Sequence, residues 1–209
     1  MTVRIYKINY YLDTDLYPFE DKKKNKVFDF TNEIKNNTIK MADIVILVDS
    51  SLSEYQTAIQ HIIKKLFKDA HDYFLLDMNV ISEDFLNIYL IRYDLGFSAL
   101  STCFTYKTKD LLFEELNNGS SSESSEKYIN GAIKALESLT LRSDCFRLVI
   151  HFIGAEVNNI IIDEEVLVNL REKDLNYNIV KINNKNDCKI IEQLGKNLSK
   201  CEVCSLNTS

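Results

Sequence analysis

The apolar positions of this chain repeat with two periods. Asp43 to Val48 reads D-I-V-I-L-V, a short continuous apolar run rich in β-branched residues, as a strand buried on both faces requires. It ends in Asp49-Ser50-Ser51-Leu52-Ser53. Beyond it, Ile59, Ile62, Ile63, Leu66 and Phe67 recur at i, i+3, i+4, i+7 and i+8, one apolar face of a helix. Ser53 and Gln56 have the spacing of a capping box, which predicts Ser53 as the residue that starts this helix. The same reading predicts strands at Leu86–Tyr93, Ala99–Thr105, Arg147–Ile153 and Asn178–Ile182. It predicts helices at Lys109–Leu116, Glu164–Lys173 and Asp187–Gly195, and one more that turns Ile129, Ala132, Ile133, Leu136 and Leu139 inward.

Strands that alternate with helices need crossover connections. The expected fold class is therefore α/β, a Rossmann-like, mostly parallel central sheet with helices on both faces. Residues 1–41 do not follow this rhythm and are read as an N-terminal extension packing on a domain of residues 42–209. Within the extension, Val3 to Leu12 suits an edge strand and Phe28 to Lys35 a short helix.

Composition narrows the function. The length of 209 residues suits one such domain. A net charge of -6 opposes nucleic acid as a partner, because phosphate binding needs clustered Lys and Arg. The one basic run, Lys22 to Lys24 with Lys26, is short and follows Glu20 and Asp21. No apolar run reaches the length of a membrane-spanning helix, and Met1 to Tyr10 carries Arg4 and Lys7 and lacks an apolar signal core. Five cysteines form no evident disulfide framework, which fits a reducing compartment. The expected location is the cytoplasm, with neither membrane nor nucleic acid as partner.

The chemistry concentrates after the first buried strand. Ligands of an open α/β sheet sit beyond the carboxyl ends of its strands, where the strand order reverses. Asp49, Ser51 and Ser53 lie at such an end and offer one carboxylate and two hydroxyls at alternate positions. Hard oxygen donors of this kind suit Mg²⁺, which takes about six oxygens and keeps several waters; Mn²⁺ is the other candidate ion.

This D-x-S-x-S sequence, directly after a buried strand and before an amphipathic helix, resembles the first metal-site motif of von Willebrand factor A-type (vWA) domains. Two further stretches are similar to the vWA domains associated with atypical α-kinases. One is Leu141-Arg142-Ser143 through Arg147-Leu148-Val149-Ile150-His151; the other is Leu175-Asn176-Tyr177 with Lys181-Ile182-Asn183 and Asp187. The resemblance spans about residues 42 to 197. It implies a protein-interaction module with an adhesion-type metal site (MIDAS), binding an acidic side chain of a protein partner through a cation. An α-kinase would have to be a separate polypeptide.

Position by position, the resemblance implies Asp49, Ser51 and Ser53 as ligands. Ser122 stands near the second-loop threonine of the family, or Ser121 if the alignment shifts by one. The third-loop aspartate is replaced by Gly154, which removes a negative charge beside the cation. Glu123 and Glu156 are substitute ligands with longer reach, and a water is another. Leu52 occupies the place of the usual glycine between the serines and is expected at the rim as a partner contact. Arg92-Tyr93-Asp94 ends the second strand, so Asp94 is a second rim candidate, or only a strand terminus.

The bland readings stand beside these. Ser53 would cap a helix with or without a metal. His151, inside an apolar strand, reads as a buried, hydrogen-bonded core histidine, and His61 and His71 as exposed. Cys201-Glu202-Val203-Cys204 is a single C-x₂-C, half of what a structural zinc usually needs, and reads as a last strand with incidental thiols. No nucleophile–base arrangement is legible, so no catalytic residue is predicted. Three functions compete: the metal-dependent interaction module; a scaffold that has lost cation binding, marked by Gly154; and, last, a phosphate- or nucleotide-handling enzyme, which would need a glycine-rich loop after the first strand.

Overall fold

The computed structural model describes residues 4–8, 39–49, 52, 55–77, 79–80, 83–94, 97–117, 129–154, 161–182 and 189–206. Its strands are β1 (Arg4–Ile8), β2 (Ala42–Asp49), β3 (Leu86–Asp94), β4 (Phe97–Thr105), β5 (Phe146–Ile153), β6 (Asn176–Ile182) and β7 (Lys200–Leu206). Its α-helices are α1 (Gln56–His71), α2 (Lys109–Asn117), α3 (Ile129–Ser138), α4 (Glu164–Glu172) and α5 (Lys189–Asn197). The seven strands form one sheet in the order β1-β7-β6-β5-β2-β3-β4. All neighbours are parallel except β3 and β4. The α/β class with a mostly parallel sheet and helices on both faces is as the hydrophobic pattern predicts.

β2 lies inside the sheet between β5 and β3, and every one of its residues is buried. Alternation sends Ile44, Ile46 and Val48 to one face, where α1 and α2 supply Ile59, Ile62, Ile63, Leu66 and Leu112. It sends Val45 and Leu47 to the other, where α3, α4 and α5 supply Ile133, Leu136, Leu167, Leu170 and Leu194. A helix layer on each side explains why the strand reads as a continuous apolar run.

Several boundaries differ from the sequence expectation. α1 begins at Gln56 with Tyr55 as its N-cap residue and no side-chain cap bond. The Gln56 amide nitrogen donates to the Leu116 carbonyl and to Asn117 Oδ1, and Ser53, the cap expected from the sequence, lies outside the described residues. Beyond His71 the chain continues as π-helix through Asp77, a widening that a 3.6-residue period does not signal. That tail seats Phe74 against Phe85, with ring centroids 5.5 Å apart. β1 joins the sheet edge beside β7, while the helix expected at Phe28 to Lys35 lies outside the described residues.

At the amino ends of the strands, Asp43 is fully buried and engaged by Arg142. The Arg142 Nε donates to Asp43 Oδ1 and its backbone N–H to Asp43 Oδ2, both at 2.7 Å. The same guanidinium donates to the carbonyls of Ala42 and Asp84 at 2.7 and 2.9 Å. Arg147 continues the cluster through the carbonyls of Arg142 and Lys173. This pole is a structural clasp at the end opposite the candidate site.

Candidate functional site

The chain leaves β2 toward β3 and β4 on one side and returns to β5 on the other. The order therefore reverses between β2 and β5, and their carboxyl ends flank the crevice where α/β sheets bind ligands. Asp49 is the last residue of β2, in register with Tyr93. It is only 1% exposed. On β5, Val48 faces Phe152, so Gly154 lies just past the same level and is also buried.

Three contacts fix what surrounds this crevice. Gln56 at the start of α1 and Gln60 one turn on both donate to Asn117 Oδ1, at 3.1 and 2.6 Å. Arg92 Nη1 donates to the Glu115 carbonyl at 2.8 Å. The carboxyl end of α2 is thus tied to the start of α1 and the end of β3. No sequence signal singled out Gln56, Gln60 or Arg92 for this task, because their partners lie 23 to 61 positions away.

A buried polar chain lies behind the crevice. His151 is fully buried. Its Nε2 is 2.9 Å from the Tyr93 hydroxyl and its Nδ1 is 2.8 Å from the Tyr177 hydroxyl. Tyr93 donates its proton to the Phe152 carbonyl at 3.3 Å. Counting protons gives the tautomer: Nε2–H donates to Tyr93, and Tyr177 donates to Nδ1. Burial lowers the His151 pKa to about 3, and it holds the Tyr177 phenol protonated, well above its ordinary value. Both imidazole nitrogens are engaged, so His151 is a core residue, as its apolar strand suggests, and not a ligand or base.

The predicted site residues fare unequally. Asp49 stands at the switch point as expected. Leu52 does not lie at the rim: it is 5% exposed and packs in the core with α1. The reason is that the chain must turn from β2 into α1, and Leu52 fills the gap between them. Asp94 ends β3 beside Asp49 and Tyr93. Ser51, Ser53, Ser121, Ser122, Glu123 and Glu156 lie outside the described residues. Among the described residues no group of three or more His, Cys, Asp or Glu side chains could hold a metal ion. Asp49 fits a hard divalent cation by donor type and position, as one carboxylate of an oxygen set.

Elsewhere the chemistry is quiet. Cys201 and Cys204 are three apart on β7, so they face opposite sides of the sheet and belong to opposite cores. They share neither a metal nor a disulfide, and burial pushes each thiol pKa up to about 12. A cleft of about 290 Å³ between α3 and the start of α4 is lined by Asn130, Lys134, Ile161, Ile162, Asp163 and Val166. Asp163 accepts the Glu165 N–H with its carboxylate as the N-cap of α4. No helix among the described residues is long and apolar enough to cross a membrane.

No protein-family model matches this chain, and no curated protein is similar to it in sequence. Solved structures are similar in fold. The pilus adhesin SpaC of Lactobacillus rhamnosus GG aligns with a TM-score of 0.56 at 12% identity, over 79% of this chain and 28% of the adhesin. Proximal thread matrix protein 1 from the mussel byssus, in a structure with a zinc-occupied MIDAS motif, aligns at 0.53 with 15% identity, over 81% of this chain and 44% of that protein. BatB from Bacteroides thetaiotaomicron aligns at 0.53 with 12% identity, over 81% and 91%. The chain thus spans less than half of the first two. At these identities the likeness is one of fold, and none of the three connects the chain with α-kinases.

Proposed function

We propose that this chain is a non-enzymatic protein-interaction module that binds its partner at the carboxyl end of the sheet, beside Asp49. The observation that carries the reading is a carboxylate placed, nearly buried, at the topological switch point of a vWA-like sheet. In the fuller form of the proposal, Asp49, Ser51, Ser53 and Ser122 hold Mg²⁺ or Mn²⁺, and the cation takes an acidic side chain of the protein partner as a further ligand. Glu123 or Glu156 supplies the second negative charge. A zinc-occupied MIDAS motif in the mussel thread protein supports a cation at this place in the fold.

The second reading is a metal-independent interaction module. Gly154 favours it, since a glycine directly follows β5 where the family it resembles has a carboxylate. Calorimetric titration of the full chain with Mg²⁺ and with Mn²⁺ separates the two. Saturable binding by the wild type, lost in Asp49→Asn, is the expected result. No heat at millimolar metal removes the cation from the proposal and leaves the second reading.

A further inference from the structure

Tyr93 is the β3 residue in register with Asp49, and His151 on β5 is in register with Leu47. β3 and β5 are not neighbours, because β2 lies between them. Two strand spacings come to roughly 10 Å, a gap that only a long side chain closes. The Tyr93 hydroxyl closes it, 2.9 Å from His151 Nε2 and 3.3 Å from the Phe152 carbonyl. The phenol therefore crosses over β2, from the level of Asp49 to the level of Leu47. It does so on the face of Val45 and Leu47, to which strand alternation also turns Asp49. Tyr93 and His151 are fully buried, and Asp49 nearly so. The carboxylate thus stands on the outer side of a dry polar bridge, with the apolar core on its inner side. On the other face of the sheet the preceding residue, Arg92, holds the end of α2 through the Glu115 carbonyl.

We propose that Tyr93 is a positioning residue of the Asp49 site: its hydroxyl, by spanning β2 to His151 and Phe152, fixes the spacing of the β3 and β5 carboxyl ends around Asp49. The inference rests on the reading of Asp49 as a residue of the binding site. A phenylalanine would fill the same space and bury the same ring. It would leave the His151 Nε2–H without an acceptor in a core that admits no water to replace it. The two strand ends would then be free to part by local opening, without unfolding the domain. Donor groups of a binding site work only when the side chains and strands that carry them are held in place, and Tyr93 supplies that hold from beneath.

Backbone amide hydrogen exchange of the full chain, followed by NMR without added metal, tests this. Tyr93→Phe is expected to speed exchange at Val48 and Asp49 roughly ten-fold, the worth of one buried hydrogen bond. Ile190→Val trims the same core under α5 and is expected to lower the urea midpoint while leaving those two rates within about two-fold of the wild type. His151→Gln retains a donor for the Tyr93 hydroxyl and is expected to keep the exchange slow, whereas His151→Leu should match Tyr93→Phe. Mn²⁺ titration of the same variants reads the site itself: affinity is expected to fall in Tyr93→Phe and to hold in Ile190→Val. Rates at Val48 and Asp49 that stay unchanged in Tyr93→Phe, or that rise equally in Ile190→Val, overturn the proposal. Should the exchange respond as expected while the wild type takes up no Mn²⁺, Tyr93 still positions the strand ends, and it is the cation of the proposed function that fails.

Discussion

His151 shows how far one side chain can be committed by its surroundings. Its two nitrogens are satisfied by Tyr93 and Tyr177 only when the ring is neutral, and a second proton would leave Nδ1 facing a hydroxyl that must turn away. Burial lowers the folded pKa to about 3 from an ordinary 6.5. Between those values the unfolded chain binds a proton that the folded chain does not. The His151 contribution is therefore fully present above the unfolded value and is lost as the pH falls from there toward about 3. The slope approaches about 1.4 kcal/mol per pH unit. Urea midpoints measured from neutral pH downward are expected to fall for the wild type and to fall less steeply for His151→Gln, which keeps donor and acceptor but does not titrate. Parallel profiles for the two would rule this account out. The sequence placed His151 in the core from its apolar strand; its partners on β3 and β6 were not legible, because they lie 58 and 26 positions away.

At the scale of the element, the turn from β2 into α1 shows where a family pattern and packing part. The resemblance puts Leu52 where partners would touch it, yet the side chain belongs to the core beneath α1. Leu52→Ala is expected to lower stability by about 2–5 kcal/mol through the cavity it leaves, read as a lower urea midpoint with an unchanged m-value. A midpoint equal to the wild type would return Leu52 to the rim. Gln56 makes the same point. Its spacing from Ser53, which lies outside the described residues, suggests a local cap, while its amide nitrogen serves the end of α2, a partner within reach only once the helices have packed. On β7, the C-x₂-C spacing reads as a half site for zinc until the strand's alternation sends the two thiols to opposite faces.

Across the whole molecule, the sheet separates a clasp at one pole from a crevice at the other. The Asp43–Arg142 pair closes the first pole and joins segments 99 positions apart. Arg142→Ala leaves the buried Asp43 carboxylate without its counter-charge, keeping only the backbone N–H of residue 142, and a loss of about 3–5 kcal/mol is expected. Arg142→Lys should rescue little of it, because one ammonium cannot reproduce the fork that meets Asp43, Ala42 and Asp84 together. Thermal unfolding should remain a single transition with a lower midpoint in both variants. A midpoint within a degree or two of the wild type would mean that the clasp is redundant.

The sequence by itself determined the alternation of strands and helices and the strand buried on both faces with Asp49 at its end. These follow from periodicity, which is local, and from the solvent-excluding demand that a strand covered on both faces be apolar throughout. Only the tertiary structure decided the strand order, and with it the switch point that turns Asp49 from a strand terminus into a candidate ligand. It also decided that Leu52 faces inward and that His151 is held by two tyrosines. Each of these depends on which distant segments become neighbours, and packing sets that through contacts that no short window of sequence contains.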